Sequence, residues 1–395
     1  MRPAVSDARA LVLSSRKPLF EAARARFADE IEFLDLRVAD EGDPEVTVPS
    51  FDHHRKTLEI TDRLMARRPF QHILATSESN LGFAAFLRSR YGLPGMGYDQ
   101  ALVATNKWRM KQRVGKAAFP APRCWLSGDF AAAGGRLALP AEVVVKPLTG
   151  SSCKGVRRIP VDEALSLAAE GTELFLVEEA IDADAELHVD GVVRDGELRV
   201  ALASVYDRPV LSAVGSTRVS MHLPLDDPRH TPALEAAGRI TAALGIPDFV
   251  FHLELLETDG TLLFNEIGLR PAGGGIADSL RHFHDVDLWD EYVRLQLEKP
   301  SGVRPPLGAG PRDICGVIKV VASAPGSERR IPAAAELLAL PGVIRVTQGS
   351  PSAETEVRLG SSCGFAQFAF FTLADVRAVR ETVANIERLS RLPAS

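Results

Sequence analysis

The side chains of this chain best suited to chemistry fall in four stretches, and the first is a strand followed by a glycine and serine turn. The run Val143–Lys146 leads into TGSSCKG, where Gly150, Ser151, Ser152, Lys154 and Gly155 expose backbone N–H groups of the kind that cradle phosphates. Lys146 adds a point charge at the strand end. The stretch is no Walker loop, because GxxxxGK[ST] is absent, and a glycine and serine turn after a strand is more often an ordinary turn. The second stretch is VFHLELLETDGTLLFNEIGLR, with Glu254 and Glu266 on either side of the turn Thr258, Asp259, Gly260. A hairpin centred there brings the two carboxylates together on one sheet face, where they repel unless a cation separates them. Magnesium, a hard ion that takes oxygen ligands and phosphates, suits such a pair. A solvated sheet face is the plainer account, but Glu266 lies inside the apolar run LLFNEIG. Third comes Arg270, ahead of Pro271 and Gly273, Gly274 and Gly275. An arginine here either holds a transferring phosphoryl group and an oxyanion or makes a salt bridge to Glu266. Last is FLVEEAIDADAE, in which a strand ends at Glu178, Glu179, Ala180 and Ile181, with Glu186 beyond. Such a strand end offers backbone groups to a purine base and a carboxylate to ribose hydroxyls, although acids at strand ends are usually just solvated.

The elements that must hold these groups follow from the apolar pattern. Strands at Ala10–Leu13, Ile31–Leu36 and His72–Thr76 alternate with a helix over Leu19–Phe27, the order of a parallel α/β unit. Ser14, Ser15 and Arg16 stand where a dinucleotide fold would carry GxGxxG, so no dinucleotide site is expected there. A helix over NKWRMKQRV opens a second unit, followed by the strand RCWL, a loop or surface helix over Gly128–Pro140, and a buried strand at Val143–Lys146. The strands FLVEEAI, ELHVDGVV, ELRVALASV, VFHLELLE and TLLFNEI complete a carboxylate-bearing sheet. The Pro/Gly-rich linker SGVRPPLGAGPR precedes a C-terminal α+β segment opening with ICGVIKVVA.

The bulk composition restricts the partners. The chain has 395 residues, enough for two or three packed units, with 46% hydrophobic and 25% charged residues and a mean hydropathy near zero. The formal charge of −6 comes without a long acidic or basic block, which disfavours a nucleic acid. No apolar run spans a bilayer and no signal peptide is apparent, so a cytoplasmic location without membrane attachment is expected. Cys124, Cys153, Cys315 and Cys363 are scattered, with no CxxC or Cys/His spacing, and read as free thiols. Small-molecule substrates fit best, and a homodimer is the default assembly.

In order along the chain, Lys107, Lys146, the SSCKGV loop, Glu178–Ile181, Glu186, Glu254, Glu266 and Arg270 resemble the series that marks the ATP-grasp superfamily. The resemblance covers about the middle half of the chain. It implies an α/β ATP-grasp fold with a Rossmann-like N-terminal domain over 1–103, a nucleotide-binding and catalytic region over 104–300, and a C-terminal α+β segment over 312–395 that completes the catalytic domain. It further implies that Lys107 and Lys146 contact the phosphates of ATP and that Ser151, Ser152, Lys154, Gly155 and Val156 close over them. Glu178, Glu179, Ala180 and Ile181 would hold adenine, and Glu186 the ribose. Glu254 and Glu266 would hold Mg2+, with Mn2+ an acceptable substitute, and Arg270 with Lys146 would be catalytic. One departure is Gly268, where the family's E-I-N-P-R motif carries asparagine, leaving the metal to the two glutamates, phosphates and water. The RPAGGG continuation resembles the amino-acid ligase branch, which implies an acyl phosphate made from a carboxylate and captured by an amine. A thioester-forming ligase, a carboxylase or formyl-transferring relative, and an ATP-binding sensor without turnover are the rivals. His222, Arg281, His282 and His284 are pocket residues by proximity alone.

Overall fold

The computed structural model describes residues 8–391 apart from 15–16, 39–42, 49, 52–53, 117–118, 135–140, 172, 305–312, 322–329, 350–361 and 363. Ser15 and Arg16, the end of the Gly128–Pro140 stretch, Cys363 and most of the SGVRPPLGAGPR linker therefore lie outside the described residues. No helix among those described is long and apolar enough to cross a membrane.

The N-terminal strands β1 (Arg9–Ser14), β2 (Glu32–Val38), β3 (Thr47–Val48) and β4 (His72–Ala75) form a parallel sheet in the order β3-β2-β1-β4. β1, RALVLS, is buried along its whole length, as expected of a central parallel strand covered on both faces. The helix expected over Leu19–Phe27 runs from Pro18 to Arg24 and tightens into a 3-10 turn at Ala25–Phe27. The helix Glu78–Tyr91 leaves β4 with Glu78 in its first turn and stops at Gly92, whose φ of 64° suits only a residue without a Cβ penalty. Glu78 thereby stands at the carboxyl end of the sheet.

A second, antiparallel sheet contains β5 (Cys124–Leu126), β6 (Glu142–Pro147), β7 (Arg157–Pro160) and β8 (Phe175–Glu179), ordered β5-β8-β6-β7. Val143, Val145 and Val177 pack with Phe130, Ala164 and Ala168 of the helices Ser127–Ala133 and Val161–Glu170. The alternation sends Val144 and Lys146 to the opposite face, into a cleft. The sequence suggested a wholly buried strand here, whereas only one face is covered by apolar packing.

The third sheet is antiparallel and eight-stranded, ordered β13-β12-β9-β10-β11-β14-β16-β15. Its strands are β9 (Ala185–Arg194), β10 (Glu197–Tyr206), β11 (Arg218–His222), β12 (Phe249–Thr258), β13 (Thr261–Gly268), β14 (Ile314–Val321), β15 (Val343–Gln348) and β16 (Phe365–Leu373). The C-terminal segment joins this sheet through the β11–β14 pairing. On β9 the apolar Leu187 and Val189 pack in the main core with the helices Lys107–Lys116 and His230–Leu244. The intervening Glu186, His188 and Asp190 turn to the other face, which meets the cleft at one end.

Candidate active site

The hairpin β12–β13 builds the centre of the site. Pairing runs regularly from Thr258↔Thr261 to Leu255↔Phe264, then shifts, so that Glu254 stands opposite Glu266. Without the shift Glu254 would face Asn265, and Glu266 would point to the other side of the sheet. The expected shared face is therefore reached through a β-bulge at Asn265, a feature the period-two reading did not include. The bulge also admits Asn265 to the site: Lys146 Nζ donates to its Oδ1 at 3.0 Å, and its Nδ2 lies 3.5 Å from Glu254 Oε2.

Thirteen of the fifteen residues singled out for the site line one cleft between the second and third sheets, all but Gly155 and Ala180. That grouping joins residues more than 160 positions apart in the sequence. Lys107 Nζ is 2.6 Å from Glu266 Oε1 and donates to the Gly150 carbonyl at 2.8 Å, tying the loop to that carboxylate. Lys146 Nζ is 2.6 Å from Glu178 Oε2, and Lys111 Nζ forms an ion pair with Glu178 Oε1 at 3.0 Å. Burial alone would raise the Glu178 carboxyl, but these two ammonium groups overcome it and hold the acid at about 2. The Glu178 side chain thus anchors lysines. Glu179 pairs in two places with the exposed Arg123, at 3.0 Å each.

Gly155, though outside the lining, governs the loop: its φ is +72° and a Cβ there would sit 2.9 Å from Pro147 Cγ. Ser152 and Cys153 also adopt left-handed backbone, with φ of 63° and 57°. The loop is tethered by the Ser362 N–H, which donates to the Ser152 carbonyl at 2.8 Å.

Several residues that sequence reasoning missed complete the site. Glu78 enters from the first unit, and Arg270 donates to its Oε2 at 3.2 Å. Burial pushes its carboxyl up despite Arg270, with Glu266 and Glu254 adding to the rise. A Cβ at Gly268 would come within 3.3 Å of that Oε2, so the glycine in place of the family's asparagine leaves the space Glu78 fills. Glu78 could have been found by its place just after a parallel strand, where open α/β sheets bind ligands. His252 Nε2 lies 3.5 Å from Glu254 Oε1, and its Nδ1 is 2.9 Å from Asp190 Oδ1. Asp190 Oδ2 is 2.6 Å from His188 Nδ1, whose Nε2 meets Ser220 Oγ at 2.7 Å. Burial works against charge on His252, but Asp190 and then Glu254 raise it to about 10.

The cleft carries an excess of carboxylates. Glu186 accepts from the Val210 N–H at 2.7 Å, yet burial, then Glu254, push its carboxyl up to about 8. Glu78, Glu186, Glu254 and Glu266 crowd a space that a hard divalent cation on Glu254 and Glu266 would neutralise, so the donor set fits magnesium. His222, Arg281, His282 and His284 do not line the cleft; Arg281 pairs with Asp278 at 2.9 Å. Folding instead gathers His222, His284 and Cys315, which sequence spacing did not reveal, into a cluster with a 2.6 Å contact between His222 Nδ1 and His284 Nε2. Among the described residues Cys124, Cys153 and Cys315 are free thiols.

No family model matches the chain. An L-arginine-specific L-amino acid ligase of Bacillus subtilis is 29% identical over 243 residues, 58% of this chain and 58% of that protein, so the likeness takes in little more than half of the relative's length. The crystal structure of an L-amino acid ligase from Bacillus licheniformis superposes with a TM-score of 0.77 over 99% of this chain and 100% of that one, at 16% identity. A carboxyaminoimidazole ribonucleotide synthase from Aspergillus clavatus, complexed with ATP, gives a TM-score of 0.70 over 97% and 99% at 14% identity. With its second and third sheets closing on a lysine- and carboxylate-lined cleft, the chain has the ATP-grasp fold and is similar to L-amino acid ligases.

Proposed function

We propose that this protein is an ATP-dependent ligase that activates the carboxylate of an amino acid as an acyl phosphate and couples it to an amine, releasing ADP and phosphate. The observation that carries this reading is the facing pair Glu254 and Glu266, set in one cleft with Lys107, Lys146 and Arg270. Glu254 and Glu266, with the Asn265 carboxamide alongside, would hold a magnesium ion, which supplies charge neutralisation to the phosphates when bound. Lys107 and Lys146 bind the triphosphate, Glu178–Ile181 edge the adenine, and Glu186 faces the ribose. A substrate carboxylate oxygen attacks the γ-phosphorus, the bond to the β,γ-bridging oxygen breaks, and ADP leaves. The neutral amine then attacks the acyl carbon, phosphate departs with the former carboxylate oxygen, and the amine sheds a proton. Arg270 holds the carboxylate and the oxyanion that forms at this step. Glu78, beside it, accepts the α-ammonium of the activated amino acid, which favours amino acids over simple acids. The 149–155 loop covers the acyl phosphate and keeps water from it.

An ADP-release screen over pairs of amino acids, with mass analysis of the product, tests this reading. Amino-acid-dependent ADP release with an amide of the summed mass less water is expected. ADP release that requires a thiol acceptor or bicarbonate, or ATP binding with no turnover over the whole panel, would refute it.

A further inference from the structure

Away from the cleft, three elements bring nitrogen and sulfur ligand atoms toward one point. β11 ends at His222, the helix Ile276–His284 ends at His284, and Cys315 is the second residue of β14. The antiparallel β11–β14 ladder reaches Met221↔Gly316, and one further step sets His222 opposite Cys315. The Cys315 sulfur is 3.5 Å from His222 Nδ1, and that nitrogen is 2.6 Å from His284 Nε2. All three ligand atoms lie within 4.8 Å of one another. His222 and Cys315 are buried and His284 is partly so. None of the three lines the cleft.

We propose that His222, His284 and Cys315 form a second metal site, for a zinc-class divalent cation, which fastens the C-terminal segment and the helix Ile276–His284 to β11. The donor set decides the class of ion. Two imidazoles and a thiolate suit zinc, whereas magnesium takes oxygen ligands of the kind that line the cleft. A tetrahedral zinc, with Zn–N of about 2.0–2.1 Å and Zn–S of about 2.3 Å, sets a nitrogen and a sulfur about 3.5 Å apart and two nitrogens about 3.3 Å apart. Cys315 and His222 already stand at the first spacing. The second asks the two imidazoles to part by about 0.7 Å from their 2.6 Å contact, a shift that the partly exposed His284 at its helix end can make. In that contact one nitrogen carries a proton, and an ion takes the proton's place between two lone pairs. Ser279 Oγ lies 2.9 Å from His222 Nε2. When Nε2–H donates to that hydroxyl, the Nδ1 lone pair faces His284 and Cys315, and such outer hydrogen bonds are what orient metal-bound histidines. Phe283 meets the His222 ring edge-on at 5.7 Å and helps to fix its plane. The Cys315 thiol releases its proton as the sulfur–zinc bond forms. Three protein ligands leave the fourth position to water.

The inference does not depend on the ligase reading. The full chain, stripped with a chelator, is titrated with zinc and, as a spectroscopic probe, with cobalt, in excess magnesium so that the cleft carboxylates are occupied. One ion per chain is expected, with a thiolate-to-cobalt charge-transfer band and the intense visible bands of tetrahedral cobalt. Cys153 lines the cleft and is the competing thiol, so Cys153→Ser keeps the band and Cys315→Ala loses it. Cys315→Ala and His284→Ala each lower zinc affinity by about 100-fold or more, and Ser279→Ala by about 10-fold. Zinc at about 100 times its Kd raises Tm by roughly 5–10 °C for a cooperative unit of 150–250 residues. The wild-type spectrum needs no variant to fold, and His284→Ala, at a partly exposed position, reads the same loss of tetrahedral bands should Cys315→Ala not fold. A wild type that binds no zinc, a cobalt complex without the thiolate band, or a band that survives Cys315→Ala or vanishes with Cys153→Ser would overturn the site. His222 and His284 would then be a hydrogen-bonded pair and nothing more.

Discussion

Replacing Glu178 by glutamine leaves two buried ammonium groups without their shared countercharge. Glu178 is 2% exposed and is held between Lys146 Nζ at 2.6 Å and Lys111 Nζ at 3.0 Å. A carboxyl that titrates near 4.5 when exposed and at about 2 here binds its proton less tightly by some 2.5 powers of ten. At ~1.36 kcal/mol per power of ten, the ionised group contributes about 3 kcal/mol to folding at neutral pH. Removing one partner of a buried ion pair typically costs about 3–5 kcal/mol, so two routes agree. For a cooperative unit of 150–250 residues this lowers Tm by roughly 6–12 °C.

The pH dependence carries the sharper test. The folded state depresses the acid, so its contribution is complete above about 4.5 and is lost as pH falls through the folded value of about 2. Thermal unfolding of wild type and Glu178→Gln should therefore show a constant gap from pH 7 down to about 5 and a narrowing one below 4.5. A variant within 1–2 °C of wild type at pH 7, or a gap that does not change down to pH 3.5, would refute the reasoning. Lys146 would then owe its position to Asn265 and to packing alone.

Other substitutions separate chemistry from folding. Lys146→Met should reduce ADP formation by about 10²–10³-fold, with near-normal unfolding, because Glu178 keeps Lys111; retained turnover counts against the phosphate role. Glu266→Ala should abolish magnesium-dependent ADP release while circular dichroism stays native, and activity above a tenth of wild type would remove Glu266 as a metal ligand. Gly155→Ala combines a left-handed backbone with a Cβ 2.9 Å from Pro147 Cγ, so closure of the loop should suffer and free phosphate from a leaked acyl phosphate should rise several-fold relative to amide. Gly268→Asn should press on the Glu78 carboxylate and lower kcat/KM for amino acids by about 10–100-fold, with a smaller effect on acids that lack an α-amino group; equal losses on both would assign Glu78 a structural role only.

The fold class and the strands that line the cleft were legible because their signals are local. FLVEEAI, TLLFNEI and the turn residues Asp259 and Gly260 specify strands and a hairpin from neighbouring residues alone. What stayed hidden depends on docking between units. Glu78 meets Arg270 across 192 positions. Lys111 reaches Glu178 from a helix whose sequence, NKWRMKQRV, announced only its period. Of the four residues chosen near the motifs by proximity, Arg281, His282 and His284 sit on the helix Ile276–His284, which packs against β14, and His222 ends β11; none of the four lines the cleft, so nearness in sequence did not become nearness in space.

The hairpin itself marks the limit of pattern reading most clearly. Two glutamates an even number of residues apart, astride a two-residue turn, fall on opposite faces of a regular hairpin, since residues that pair across such a turn differ in parity. The chemistry requires one face. The extra residue at Asn265 supplies the missing half-period, places Glu254 opposite Glu266, and puts a carboxamide between Glu254 and Lys146. Gly268 then opens the space that Glu78 enters. With no side chain at position 268, the carboxamide three residues earlier meets Lys146 and the Glu78 carboxylate from another unit meets Arg270, so both polar groups reach this part of the cleft.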